Sequence, residues 1–303
     1  MRTMIILFLF NLVIVCPAFS KGTVTIAYTD WSSSIAGATL VQAVLQERLG
    51  RSVKLVETDA QGMWEMVAEG RADVMLSAWL PDAHEIYFTK YKDKVDDLGP
   101  NLEGTRIGLV VPNMTAGRLT AGTGLRNRPY LTTRSIPELV ENAGKYKHRI
   151  VGIDPGAGVM LKTQQAIEAY GLDKEFRLVQ GSEVSMVAEL SHAIRHQRWV
   201  VVTGWVPHWS FARWELKFLE DPKGIFGRTG HINTMARLGL EKDEPEVYAF
   251  LDKFHWSLDE IGQLLLWIQA DDGLFPYDKA LRWMRTHPER VRSWLPSPIA
   301  GDQ

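Results

Sequence analysis

The sequence predicts an α/β fold of two lobes, each a mostly parallel sheet flanked by helices, joined by a hinge. Three observations carry this expectation. Short β-rich runs alternate with helix-length segments, the alternation comes in two consecutive sets, and the last third is largely helical in pattern. In the first set, strands are expected at 24–28, 53–56 and 73–76, with helices through 39–48 and 63–69 between them. In the second, strands are expected at 106–111, 149–154, 176–179 and 199–203, with helices through 159–169 and 185–196. Strands separated by helices imply βαβ crossovers, hence parallel sheets covered on both faces.

From about 211 to 300 the pattern is helical, broken by a short strand at 216–219. Helices are expected over 244–254 and 277–285, and Ser257-Leu258-Asp259-Glu260 reads as a capping box that opens another. The stretch 114–134, rich in Thr, Gly and Arg, reads as a surface segment leading to a helix at 136–141. The expected division is a leader at 1–20, a first lobe over 21–108, a second over 109–211, and a return to the first over 212–303.

Composition narrows the function. The chain has 303 residues, Lys+Arg 34 against Asp+Glu 36, a net charge of −2 and a hydrophobic fraction of 46%. That mixture excludes a disordered, collagen-like or disulfide-stapled chain, and the balanced charge supplies no basic field for nucleic acid. Residues 1–20, MRTMIILFLFNLVIVCPAFS, have the layout of a secretory signal peptide. Arg2 precedes an apolar run over 4–15 interrupted by Asn11, and Pro17 leads to the small-residue pattern Ala18-Phe19-Ser20. The run falls short of the roughly 20 apolar residues a membrane span needs. Cleavage is expected after Ser20. A lipid-attached Cys16 is disfavoured because bulky Val15 precedes it. Cleavage removes Cys16, the single cysteine, so the exported chain is expected to be soluble, periplasmic and held by its cores alone.

Catalytic and metal signals are weak. The chain has no Gly-x-Gly-x-x-Gly after the first strand, no phosphate loop, no His-Glu-x-x-His and no Gly-x-Ser-x-Gly elbow. His192 and His196 stand four apart on a helix, but Arg195 and Arg198 beside them favour a solvated face over a metal site. No catalytic residue, metal or cofactor is expected.

Tryptophan is the stronger signal, at 11 of 303 residues. Trp31, Trp79 and Trp205 each follow or close an expected strand, where ligands sit in open α/β sheets. A box of indole faces attracts a methylated cation and excludes water, at about 1–2 kcal/mol per desolvated contact. Packing in the core or hinge fits the same three residues, and the residues alone leave both readings open. The turn GIDPGAGVM at 152–160 ends a strand and opens an apolar helix near Gly158. Free amides at such a start hold a carboxylate, and glycine permits close approach. Phosphate would fit that geometry too, but a facing lobe that offers tryptophan rather than Lys or Arg suits a small zwitterion. A turn that merely joins strand to helix is the alternative.

Several stretches together resemble the substrate-binding component of ABC importers for glycine betaine and related quaternary-ammonium osmoprotectants. They are IAYTDWSSSIA at 26–36, GRADVMLSAWLPDAH at 70–84, YKDKVDDLG at 91–99, TRIGLVVP at 105–112, GIDPGAGVM at 152–160, VVTGWVPHWSF at 201–211 and LKFLEDPKGIFG at 216–227. The segment 121–128 has no counterpart in that pattern. The resemblance implies a periplasmic-binding-protein-like clamshell, monomeric, that captures its ligand in the cleft and presents it to an ABC permease in the inner membrane. It implies a prism of Trp31, Trp79 and Trp205 around a trimethylammonium group. It also implies that the ligand carboxylate takes the backbone amides of Gly158 and Val159 and the imidazole of His84.

Glycine betaine is the expected ligand. Choline lacks the carboxylate, while carnitine and proline betaine satisfy both poles. A membrane-associated sensor built on the same clamshell is an alternative. An enzyme is not expected, since His84 would be the only base and has no nucleophile or metal beside it. His208 and Trp209 are expected to pack at the lobe edge, Trp64 to be structural, and Trp256, Trp267, Trp283 and Trp294 to fill core or interhelical space.

Overall fold

The computed structural model describes residues 22–113 and 130–296; the expected leader at 1–20 and the segment 121–128 lie outside the described residues. The chain runs β1 (Thr23–Tyr28), α1 (Ser32–Leu49), β2 (Ser52–Glu57), α2 (Ala60–Ala68), β3 (Val74–Leu80), α3 (Glu85–Tyr91) and β4 (Val95–Pro112). It continues through β5 (Arg149–Val151), α4 (Gly158–Ala169), β6 (Arg177–Val179), α5 (Glu183–Arg195), β7 (Val202–Val206), α6 (Ser210–Arg213) and β8 (Leu216–Phe218). It closes with β9 (Gly230–Arg237), α7 (Leu240–Asp243), α8 (Pro245–Lys253), α9 (Leu258–Gln269), α10 (Pro276–Thr286) and α11 (Pro288–Trp294). The helix expected at 136–141 is a 3₁₀ helix over Pro137–Tyr146.

The strands follow the order β2-β1-β3-β9-β4-β7-β5-β6, with β8 paired to β4. Two sheets meet in β4. Its first part pairs with β9, from Val95↔Arg237 to Thr105↔Gly230, and its second part pairs with β7, from Arg106↔Val206 to Val110↔Val202. The expected α/β architecture is present, but the sheets are mixed rather than mostly parallel. β1 pairs parallel with β2 and β3, as β5 does with β6 and β7, while β3/β9, β4/β9, β4/β7 and β4/β8 are antiparallel. The physical reason is that β4 and β9 carry the chain between the sheets and pair directly, without the helical crossover that parallel neighbours require. β8 belongs to the second sheet, so the chain rejoins the first at β9, later than the return expected at 212.

The first sheet's core is built on α1. Its residues from Ser33 to Leu45 are buried on nearly every face, because the helix lies between β1–β3 on one side and α9 and α10 on the other. Small residues at Ala36, Gly37, Ala38 and Ala43 let those layers approach. The C-terminal helices interlock through aromatic rings. Trp283 and Trp294 stack at 5.8 Å and 3°, Phe254 meets Trp294 edge-on at 4.9 Å, and Trp294 Nε1–H donates to the His255 carbonyl at 2.9 Å. Ser257 and Glu260 form the capping box that starts α9. Trp256, Trp283 and Trp294 are buried and Trp267 is partly buried, all packed in this layer.

Trp283→Ala is expected to cost about 3–5 kcal/mol in urea unfolding. A loss below about 1 kcal/mol would show that the helical layer does not carry the fold.

Candidate functional site

Three strands end at one cavity. Trp31 follows β1 and stands at the head of α1, Trp79 lies near the end of the wholly buried β3, and Trp205 lies near the end of β7, opposite Ile107 of β4. These indoles, with His84, Gly158 and Val159, line one cavity. All six residues singled out in the sequence thus meet at one place. Four further lining residues were not singled out: Ala83 and Ala157 beside the motif residues, and the apolar Ile107 and Ile153.

The cavity walls come from both sheets. Trp79 of β3, with Trp31, Ala83 and His84 in the connections beside the first sheet, forms one wall; Trp205 of β7 and Ile107 of β4, with Ile153, Ala157, Gly158 and Val159 beside the second, form the other. The two halves are joined by named bonds. Trp31 Nε1–H donates to Asp154 Oδ2 at 2.8 Å, the Ser32 backbone N–H to Glu183 Oε2 at 2.9 Å, Tyr87 O–H to the Gly156 carbonyl at 2.8 Å, and Lys162 Nζ to Glu85 Oε2 at 3.2 Å. α4 touches the opposite wall directly, since a Cβ at Gly158 would lie 2.1 Å from the Ala83 carbonyl oxygen and 2.8 Å from its Cα. Only glycine fits there.

Helix starts supply the polar features. α1 has no side-chain cap of its own, because Trp31 occupies its N-cap, and the Glu183 carboxylate from the other half accepts its first amide instead. A carboxylate there is favoured by the helix dipole. Burial pushes the Glu183 carboxyl up, but the attraction of His208 and the bond from Ser32 outweigh it and hold the group below the usual carboxylate range. His208 receives the Ser210 amide on Nδ1 at 3.1 Å and meets Glu183 Oε1 through Nε2 at 3.0 Å, while its ring stands edge-on to Trp205 at 4.8 Å. His208 and Trp209 are therefore buried packing groups at the junction, and His208 also supports Trp205. α4 likewise has no side-chain cap, since Ala157 precedes it, and its first amides begin at the cavity.

His84 is 1% exposed. Its Nδ1 receives the Trp64 indole N–H at 3.1 Å and the Trp79 backbone N–H at 3.3 Å. Desolvation pulls its pKa from 6.5 to about 3, so the ring is neutral at physiological pH. Asp154 is pushed up by burial, an effect opposed by the bond from Trp31. The partners Asp154, Glu183 and Tyr87 escaped sequence reasoning. Asp154 does lie inside the glycine turn already quoted, which is the one signal that pointed toward it. Among the described residues no group of three or more His, Cys, Asp or Glu is placed to hold a metal. His192 and His196 are exposed, with rings 4.3 Å apart. Among the described residues no helix is long and apolar enough to cross a membrane.

A two-lobed α/β fold with a small cavity walled from both halves defines the solute-binding class of proteins. The chain belongs to the family described as the substrate binding domain of ABC-type glycine betaine transport systems, whose model matches residues 22–286. It is similar to lactococcal OpuAC, solved in a closed-liganded conformation with glycine betaine, at 37% identity and a TM-score of 0.81 over 91% of this chain and 100% of that one. It is also similar to the glycine/betaine/L-proline-binding protein ProX of Borrelia burgdorferi, at 36% identity and 0.82 over 91% of this chain and 97% of that one. A glycine betaine/carnitine transport binding protein of Listeria monocytogenes is 37% identical over 186 residues, 60% of this chain and 59% of that protein, so the match spans less than two thirds of that relative. The family is one of transport, not of enzymes, and membership places the chain outside the cytoplasm.

The buried neutral imidazole sets a pH dependence. A folded-state pKa below the unfolded 6.5 means that the unfolded chain binds the proton more readily. The stability from neutral His84 is therefore full above about 6.5 and is lost as pH falls toward about 3. Between pH 7 and 5, wild-type stability in urea should fall more steeply than that of His84→Gln, approaching about 1.4 kcal/mol per pH unit at the acid end. Equal slopes would mean that His84 is solvated or charged in the fold.

Proposed function

We propose that this chain captures glycine betaine, or a closely related quaternary-ammonium zwitterion, between its lobes and delivers it to an ABC permease in the inner membrane. The observation that carries the reading is the convergence of Trp31, Trp79 and Trp205 with the first amides of α4 and His84 on one cavity. The two ends suit opposite poles of one molecule. Indole faces favour a methylated ammonium that cannot donate hydrogen bonds, and the uncapped start of α4 with a neutral imidazole favours a carboxylate. The lactococcal relative was solved with glycine betaine, which supports the same ligand here.

On this reading Trp31, Trp79 and Trp205 surround the ammonium group, while Gly158 N–H, Val159 N–H and His84 receive the carboxylate. The chain is exported to the periplasm with cleavage after Ser20 and acts as a soluble monomer. Its first lobe runs to Thr105 and resumes near Gly230, where strand pairing returns to the first sheet. Binding and closure are one event, because ligand touching both walls favours the state in which Gly158 meets Ala83.

Calorimetric titration of the chain from Lys21 onward with glycine betaine, proline betaine, choline and sarcosine tests this. The betaines should bind at about micromolar affinity or tighter, with choline and sarcosine much weaker. Trp79→Ala or Trp205→Ala should each lose at least about tenfold. Gly158→Ala should weaken the betaines while the chain still unfolds cooperatively. Preference for choline over the betaines would remove the anion pole from the account, and failure of every ligand to bind would return the three indoles to a packing role.

A further inference from the structure

Trp64 is fully buried on α2 and does not line the cavity, yet it touches His84, the one ionisable side chain among the described residues that does. Its ring meets His84 edge-on at 6.2 Å, and its Nε1–H points at His84 Nδ1 at 3.1 Å. The Trp79 backbone N–H approaches the same nitrogen at 3.3 Å. Both groups are donors only. A proton on Nδ1 would face two N–H groups with no acceptor between them, so Nδ1 must present its lone pair. In a neutral ring the proton then resides on Nε2. No partner for Nε2 is found among the described residues, and the ring lines the cavity.

We propose that Trp64 is a positioning residue that locks His84 in the Nε2–H tautomer, and that this lock makes the site discriminate carboxylate-bearing ligands from plain quaternary ammonium cations. The inference rests on the proposed carboxylate site. An imidazole free to carry its proton on either nitrogen would turn a lone pair toward the ligand carboxylate part of the time, and a lone pair facing an anion repels it. The indole removes that state. The Trp79 backbone amide reinforces it and ties the lock to a wall of the cage, since the same residue supplies an indole to the ammonium end. Phe88 also packs edge-on against Trp64, at 6.2 Å.

Trp64→Phe keeps an aromatic ring in the core and deletes the donor. Two readouts separate positioning from packing. In ¹⁵N-histidine spectra of the ligand-free chain, His84 should be the Nε2–H tautomer in the wild type and a mixture in the variant. In calorimetry, glycine betaine affinity should fall by the reciprocal of the Nε2–H fraction that the spectra report, about twofold for an even mixture, with choline affinity unchanged. Equal losses for betaine and choline would mean that Trp64 only shapes the cage, and unchanged betaine affinity would overturn the lock.

Should the variant not fold, the wild-type chain decides. A scalar coupling across the Trp64 Nε1–H to His84 Nδ1 bond, with Nδ1 unprotonated, supports the proposal, and a protonated Nδ1 overturns it. Because the tautomer is read without ligand, a chain that binds no betaine would refute the functional reading while leaving the lock separately measured.

Discussion

The rest of the site depends on the approach of α4 to the opposite wall, where Gly158 leaves no room for a Cβ against the Ala83 carbonyl, the closest approach to another backbone among the described glycines. The cavity exists only in that arrangement, because each half contributes an incomplete set of walls. The bonds that accompany the approach are directional. Trp31 is tied to Asp154 by its indole, and the next residue's amide is tied to Glu183, so one cage residue is anchored from the far side at two adjacent points. α1 borrows its cap from the first residue of α5, in the other half, which makes the start of that helix and the junction a single feature. A chain organised this way couples the state of its cleft to the satisfaction of its own helix ends.

Electrostatics around the cavity are arranged with few full charges. The cage faces are neutral indoles, the imidazole is held uncharged by burial, and α4 contributes partial positive charge through its amides. Asp154 is bonded to Trp31 and Glu183 pairs with His208, so both are engaged with the junction. On the proposed reading this suits a ligand with no net charge. A lysine or arginine at the carboxylate end would bind stray anions, and a free carboxylate in the cage would bind metal and ammonium ions as readily as a methylated one.

Much of this was legible in the sequence, and the exceptions share a cause. Apolar β-runs and glycine turns announced β1, β2, β3, β5, β6 and β8, while the run at 199–203 placed β7 three residues before its observed Val202–Val206, and the Trp-bearing strand ends announced the cavity, because those features depend on local pattern. β9 was hidden inside a segment read as helical. Its middle is polar yet buried: Asn233 Nδ2 donates to Asp97 Oδ1 at 2.7 Å, and Asn101 Nδ2 donates to Thr234 Oγ1 at 3.0 Å. Side chains satisfied by distant partners do not register as a buried strand. The first part of β4 carries no strand signal for a related reason, since its Asp, Gly and Pro break the apolar alternation while register shifts against β9 accommodate them. Those two strands are the ones that make the sheets mixed. Asp154 and Glu183 lie 123 and 151 residues from the groups they bind, so no local pattern exposes them.

The central claim is that one cavity, assembled by contact of the two halves, holds both poles of a methylated zwitterion. The most direct test is a crystal structure of the chain from Lys21 onward grown with glycine betaine. The account predicts the trimethylammonium group among Trp31, Trp79 and Trp205, and the carboxylate within hydrogen-bond distance of the Gly158 and Val159 amides and of His84 Nε2. A ligand carboxylate held elsewhere, or an ammonium group outside the three indoles, would contradict it.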